Sequence, residues 1–148
     1  MLAKIILNLT AIFITTTNLP ASITVAGEVN KPTSIQLTKG QKITLKQALE
    51  KAGGKTPFSS FIYVVRETET NFVIHSFRTK LITAGIHEEF DLINNDYIWS
   101  QASSTFTLKK TALDYLPPKK QKEIKESKKA LSFISWPKKR AYQYQKKE

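Results

Sequence analysis

One short segment fixes the architecture of this chain. Thr44-Leu45-Lys46-Gln47 is a capping-box pattern, a hydroxyl residue followed three positions later by Gln, so that each side chain serves the other's backbone N–H. Leu45, Ala48, Leu49 and Ala52 then fall on one face at helical spacing. Gly53-Gly54 stops the run, because glycine enters the left-handed region at little steric cost. A helix this short cannot stand alone. Its apolar face has to be buried, and the flanking sequence offers strands to bury it.

Ile23–Val29 places β-branched residues at alternate positions, the period-two signature of a half-buried strand. Asn30-Lys31-Pro32-Thr33 is a turn, and Ser34–Thr38 alternates again with Ile35 and Leu37 on one face. After the helix, Phe61–Arg66 is an apolar β-rich run suited to a central strand. Glu67–Asn71 is a polar turn, and Phe72, Ile74 and Ser76 then oppose Val73, His75 and Phe77. Lys80–Phe90 reads either as a short helix or as an irregular connection, and Tyr97-Ile98-Trp99 is a last short strand. The order β-β-α-β-β-β predicts an α+β domain, a small mixed sheet packed on one helix.

Charge divides the chain. Residues 1–104 hold 10 Lys+Arg against 8 Asp+Glu, a net of +2, whereas residues 105–148 hold 13 against 4, a net of +9. The sequence therefore reads as a nearly neutral domain, 22–104, followed by a basic C-terminal tail, 105–148, partly helical or disordered. Such asymmetry points the tail at an anionic partner. Cysteine is absent, which excludes disulfides, thiolate metal sites and cysteine nucleophiles.

Residues 1–21 have the layout of a secretory signal peptide. Lys4 is followed by an apolar stretch of about ten positions, then Thr15–Asn18, then Ala21 at a cleavage point. The stretch is too short for the about 20 apolar residues that a membrane-spanning helix needs. The expected location is accordingly outside the cytoplasm, in the periplasm or cell envelope.

The strands and helix, with their punctuation, resemble the soluble ligand-binding β-grasp (SLBB) domain of bacterial polysaccharide export proteins and some DNA-uptake receptors. The resemblance covers roughly Ile23–Ser100. It rests on Val25-Ala26-Gly27-Glu28-Val29, Lys31-Pro32, Ile35-Gln36-Leu37, Thr44-Leu45 through Ala52-Gly53-Gly54, Ile62–Arg66 and Asp96-Tyr97-Ile98-Trp99, in that order. Thr33 and Asn95 stand where the family usually has glycine. No second domain of the kinds that accompany this module in export proteins or uptake receptors is legible. The resemblance implies a binding module.

No catalytic constellation is expected, and neither a metal nor a cofactor. His75 sits in a strand pattern; His87-Glu88-Glu89 with Asp91 gathers metal-capable groups but lacks a second His four residues away. Ala52-Gly53-Gly54-Lys55 lacks phosphate-loop spacing, and no serine lies in a nucleophile-elbow pattern. The candidate ligand-binding residues are Tyr63, Arg66, Arg78, Lys80 and Trp99, because aromatic faces stack on sugars or bases and Arg pairs with carboxylate or phosphate through two N–H groups.

In the tail, Phe106 and Leu108 suggest a further strand, and Lys119–Ser135 is patterned as a charged helix with a thin apolar face of Ile124, Leu131 and Ile134. Lys119, Lys120, Trp136, Lys138, Lys139 and Arg140 are the candidates for an anionic partner, with basic and aromatic residues interleaved. The expected function is an exported, non-catalytic ligand-binding module associated with polysaccharide export or envelope glycan assembly. The expected partners are a polysaccharide or an export-machinery protein, an anionic membrane surface, or another copy of the chain. The alternative is a secreted DNA-binding or uptake-related protein that uses the tail, with nucleic acid ranked below the envelope partners.

Overall fold

The computed structural model describes residues 21–85, 89–102 and 111–136. The leader, His87 with Glu88, the strand suggested by Phe106 and Leu108, and Lys138, Lys139 and Arg140 lie outside the described residues.

Alternation places the strands. β1 (Ser22–Gly27) turns Ile23 and Val25, both fully buried, to one side. It pairs antiparallel with β2 (Thr33–Gln36) across the Pro32 turn. That turn hangs on the end of the helix: Asn30 N–H donates to Gly54 O at 3.0 Å and Lys31 N–H to Ala52 O at 2.8 Å. β3 (Ile43–Thr44) leads into α1 (Leu45–Lys51), whose capping box is formed as its sequence predicts. Gln47 N–H donates to Thr44 Oγ1 at 3.3 Å, and Thr44 N–H to Gln47 Oε1 at 3.0 Å. At the other end, Gly53 at φ +73° and Gly54 at φ +81° let the chain reverse while Gly54 N–H reaches Leu49 O at 2.8 Å.

β4 (Ser59–Glu67) and β5 (Asn71–Arg78) form a long antiparallel hairpin. α2 (Thr79–Thr83) follows, then β6 (Asp91–Leu92), which pairs with β3 in a separate two-stranded ladder. β7 (Tyr97–Ala102) inserts between β1, to which it is parallel, and β4, to which it is antiparallel. The 3₁₀ turn Ala112–Tyr115 and α3 (Pro118–Glu126) lead to β8 (Ala130–Ser135), parallel to β5 at the sheet edge. The six-stranded order is β2-β1-β7-β4-β5-β8. This is the mixed α+β, β-grasp-like arrangement that the sequence predicts.

Both faces of the sheet are covered, by different parts of the chain. Ile23, Val25, Ile62, Val64, Phe77 and Ile98 pack on α1 through Leu45, Ala48 and Leu49. On the opposite face, Tyr63, Val65, Phe72 and Ile74 are covered by Leu113, Leu116 and Ile124. The charged helix expected over Lys119–Ser135 ends at Glu126 instead, and the rest becomes β8. Two features explain the change. Lys128 takes φ +57° and breaks the helix, and the uncharged Ala130–Ser135 run then finds the free edge of β5. Along α3, Lys120 pairs with Glu123 at 2.6 Å and Lys122 with Glu126 at 3.7 Å. Among the described residues, no helix is long and apolar enough to cross a membrane.

Candidate functional site

The start of β4, the end of β5 and α2 together wall an open groove of about 700 Å³. Antiparallel pairing puts Phe61 of β4 opposite Arg78 of β5, and the Arg78 guanidinium lies 6.0 Å from the centre of the Phe61 ring. Lys55 and Lys80 line the same groove. Phe58, next to the lining Pro57, is 71% exposed. The β4–β7 register slips between Ser59 and Phe61, so this end of β4 is bulged. A bulge bends its strand and re-aims its side chains.

Beneath the groove runs a short chain of buried hydroxyls. Ser100 Oγ donates to Glu28 O at 3.0 Å, which uses its one proton. In its 2.7 Å bond with Ser100, Ser59 is therefore the donor, and in the 3.2 Å bond between Thr79 and Ser59, Thr79 is the donor. The protons all point inward along Thr79, Ser59, Ser100. Among the described residues no histidine or carboxylate is hydrogen-bonded to any of these hydroxyls, so the geometry provides no base to activate one. The cluster ties β4, β7 and α2 together below the groove. An apolar hollow of about 210 Å³ adjoins the groove, walled by Leu49 and Ile82 and sharing Lys55, Thr79 and Thr83.

Of the residues picked out in the sequence, Arg78 and Lys80 come together in this groove. Arg66 is engaged elsewhere, gripping the buried Asp96 carboxylate at 2.8 and 3.0 Å and donating to Asp91 O at 2.9 Å. Tyr63 is buried under the C-terminal segment, on the same sheet face as Phe61, and stacks on Phe61 at 6.4 Å and on Tyr115 at 6.0 Å. Burial, and then the neighbouring Tyr115, push its phenol up to about 12. Trp99 is half-buried on that face and donates to Gln101 Oε1 at 2.9 Å. In the C-terminal segment, Lys119 is exposed, whereas Lys120 is half-buried over the Tyr97 ring at 5.3 Å. Trp136 is packed inward among His75, Phe77 and Phe90. Lys55 and Phe61 had no separate signal. They reach the groove through the helix stop and the β4–β5 register, which composition does not carry. Among the described residues no cluster of three or more His, Asp and Glu is placed to hold a metal ion.

The family model of the SLBB domain matches residues 22–72, from β1 through α1 and β4 into the start of β5. Residues 22–72 are those of a soluble ligand-binding β-grasp domain. The SLBB domain is a ligand-binding module of polysaccharide export proteins, and its match covers Lys55, Ser59 and Phe61. Arg78, Lys80 and the segment that covers the second face lie beyond the matched residues. A search of curated proteins found no match to the chain.

Proposed function

We propose that the chain is an exported, non-catalytic binding module that serves polysaccharide export or envelope glycan assembly, and that the groove between β4, β5 and α2 is where it holds its glycan. The observation that carries this reading is the convergence of Arg78, Lys80 and Lys55 with Phe61 in one open groove of an SLBB domain. Cations and an aromatic ring side by side suit a chain of sugars, which offers polar edges and apolar ring faces at once. Arg78 and Lys80 are the residues assigned to the ligand; Tyr63, Arg66 and Trp99 serve the fold around it.

The test is direct. The purified protein is titrated with envelope polysaccharide fragments, and Arg78→Ala with Lys80→Ala is expected to weaken binding without altering the fold. Undiminished binding in that double variant rejects the groove. The export half of the reading is checked by cell fractionation and the mass of the mature N-terminus, expected near Ser22.

A second reading is a secreted DNA-binding protein. Lys119, Lys122 and Lys125 are all exposed along α3 and favour it. Deleting the whole tail is a poor test, because Leu113, Leu116 and Ile124 cover the sheet. Replacing those three lysines by Ala is the suitable experiment. A loss of DNA affinity and of its salt dependence supports this reading.

A further inference from the structure

We infer that the groove selects an acidic saccharide, one whose carboxylate or phosphate is taken by Arg78 with Lys55 and Lys80 beside it. The inference rests on the reading of the groove as a glycan site and adds the chemical class.

Residues 1–104 contain two arginines, and the structure uses them in opposite ways. Arg66 is bound side-on to a buried carboxylate, and the field of that pair is closed. Arg78 has no carboxylate within ion-pair distance among the described residues, and neither has Lys55 or Lys80. Some other cations are paired: Lys129 meets Glu67 at 2.7 Å and Lys120 meets Glu123 at 2.6 Å. Three cations lining one groove without an ion pair among the described residues, while residues 1–104 carry a net charge of only +2, make a local concentration of positive charge.

Arg78 is also oriented for such a ligand. Its guanidinium lies over the Phe61 ring, which restrains one flat side and leaves the N–H edge to meet a planar carboxylate or a phosphate through two bonds. Pre-orientation lowers the ordering cost of binding. The exposed Phe58 supplies an apolar face for the C–H side of a pyranose. A compact groove with three cations suits a few acidic sugar units. A nucleic acid strand is tracked by an extended line of cations along its backbone.

The experiment measures binding of the protein purified from cells expressing the whole chain. The probes are an oligogalacturonate, a phosphate-bearing oligosaccharide, a neutral dextran of similar length and a single-stranded oligonucleotide. The acidic glycans are expected to bind at least about tenfold tighter than dextran, with the preference shrinking as salt is raised. Comparison of the first two probes separates carboxylate from phosphate as the source of charge. Arg78→Ala is expected to remove at least about tenfold of the acidic affinity, Arg78→Lys to restore only part of it, and Lys119→Ala with Lys125→Ala to leave it unchanged. Equal binding of dextran and the acidic glycans overturns the inference while sparing the glycan reading. Binding of no glycan at all overturns both. An oligonucleotide that binds tighter than the glycans and responds to Arg78→Ala overturns the inference in favour of nucleic acid. Because Arg78 and Lys80 are exposed, circular dichroism is expected to show their variants folded.

Discussion

Arg66 and Asp96 clasp each other side-on, Nε to Oδ1 at 3.0 Å and Nη2 to Oδ2 at 2.8 Å, and so fasten the end of β4 to the turn that starts β7. The Asp96 side chain is fully buried and also accepts from Ile93 N–H at 2.9 Å, which shapes that turn. Asn95 completes it at φ +68°, where asparagine is tolerated better than most residues.

Arg66→Ala leaves a buried carboxylate with one backbone donor. The expected cost is about 3 kcal/mol by urea denaturation, since breaking a buried pair strands the remaining charge. Arg66→Lys keeps the charge and loses the two-pronged geometry, and is expected to fall between the two. A loss below about 0.5 kcal/mol for Arg66→Ala, the size of an exposed pair, contradicts this account.

Gly27 is the glycine whose replacement the sheet cannot accommodate. A Cβ there collides with Ser100 O, across the parallel β1–β7 pairing, and the backbone is at φ +88°. Gly27→Ala is expected to cost about 3 kcal/mol or more, strain and clash together. Gly40→Ala serves as the control. It has a similar φ of +82° with nothing within 4 Å, so only about 1–2 kcal/mol of backbone strain is expected. Equal thermal shifts in the two variants contradict the clash.

The helix and the strands of the first hundred residues were readable because each repeats a local pattern. Thr44 with Gln47 marks the start of α1, Gly53-Gly54 its end, and Phe72, Ile74 and Phe77 fall on the two sheet faces that their alternation assigns. What the site needed was register. That Arg78 faces Phe61, or that Arg66 reaches Asp96, depends on which residues lie opposite one another, and the alternation of either strand alone is silent on that. The C-terminal segment was harder still. Leu113, Leu116 and Ile124 are three apolar residues among lysines, too sparse for a periodic signal, yet they close the second face. β8 pairs parallel with a strand more than fifty residues earlier, and nothing local announces that.

Acid is expected to weaken the fold through His75. The imidazole is buried against Phe90 and Trp136, and Trp136 Nε1–H donates to its Nδ1 at 3.3 Å, so the neutral ring is the form that is held. Burial, followed by the nearby Arg66, lowers its pKa from 6.5, with Asp96 opposing. A lowered folded-state value means that the unfolded chain binds the proton more readily. His75's contribution is therefore complete above about pH 6.5 and is lost as pH falls through the lower folded value. Denaturation midpoints measured between pH 7.5 and 5 are expected to drop, and His75→Phe to flatten that part of the curve. An unchanged slope in His75→Phe assigns the effect to other groups.

The C-terminal segment's basic composition suggests a solvated appendage, but its packing makes it a part of the fold's stability. Leu116 is 2% exposed and lies in the cluster that covers Phe72 and Ile74. Leu116→Ala is expected to cost about 2–4 kcal/mol, the price of a cavity on a buried leucine site. A chain ended at residue 104 loses Leu113, Leu116, Ile124 and β8 together, uncovering the second face and freeing the edge of β5. Its expected behaviour is a lower denaturation midpoint and concentration-dependent association by light scattering, because an uncovered apolar sheet face and an unpaired edge both invite contact between copies. If the shortened chain instead stays monomeric with an unchanged midpoint, the packing of residues 111–136 contributes nothing to the domain. A basic ridge of Lys119, Lys122 and Lys125 would then be all that the segment offers.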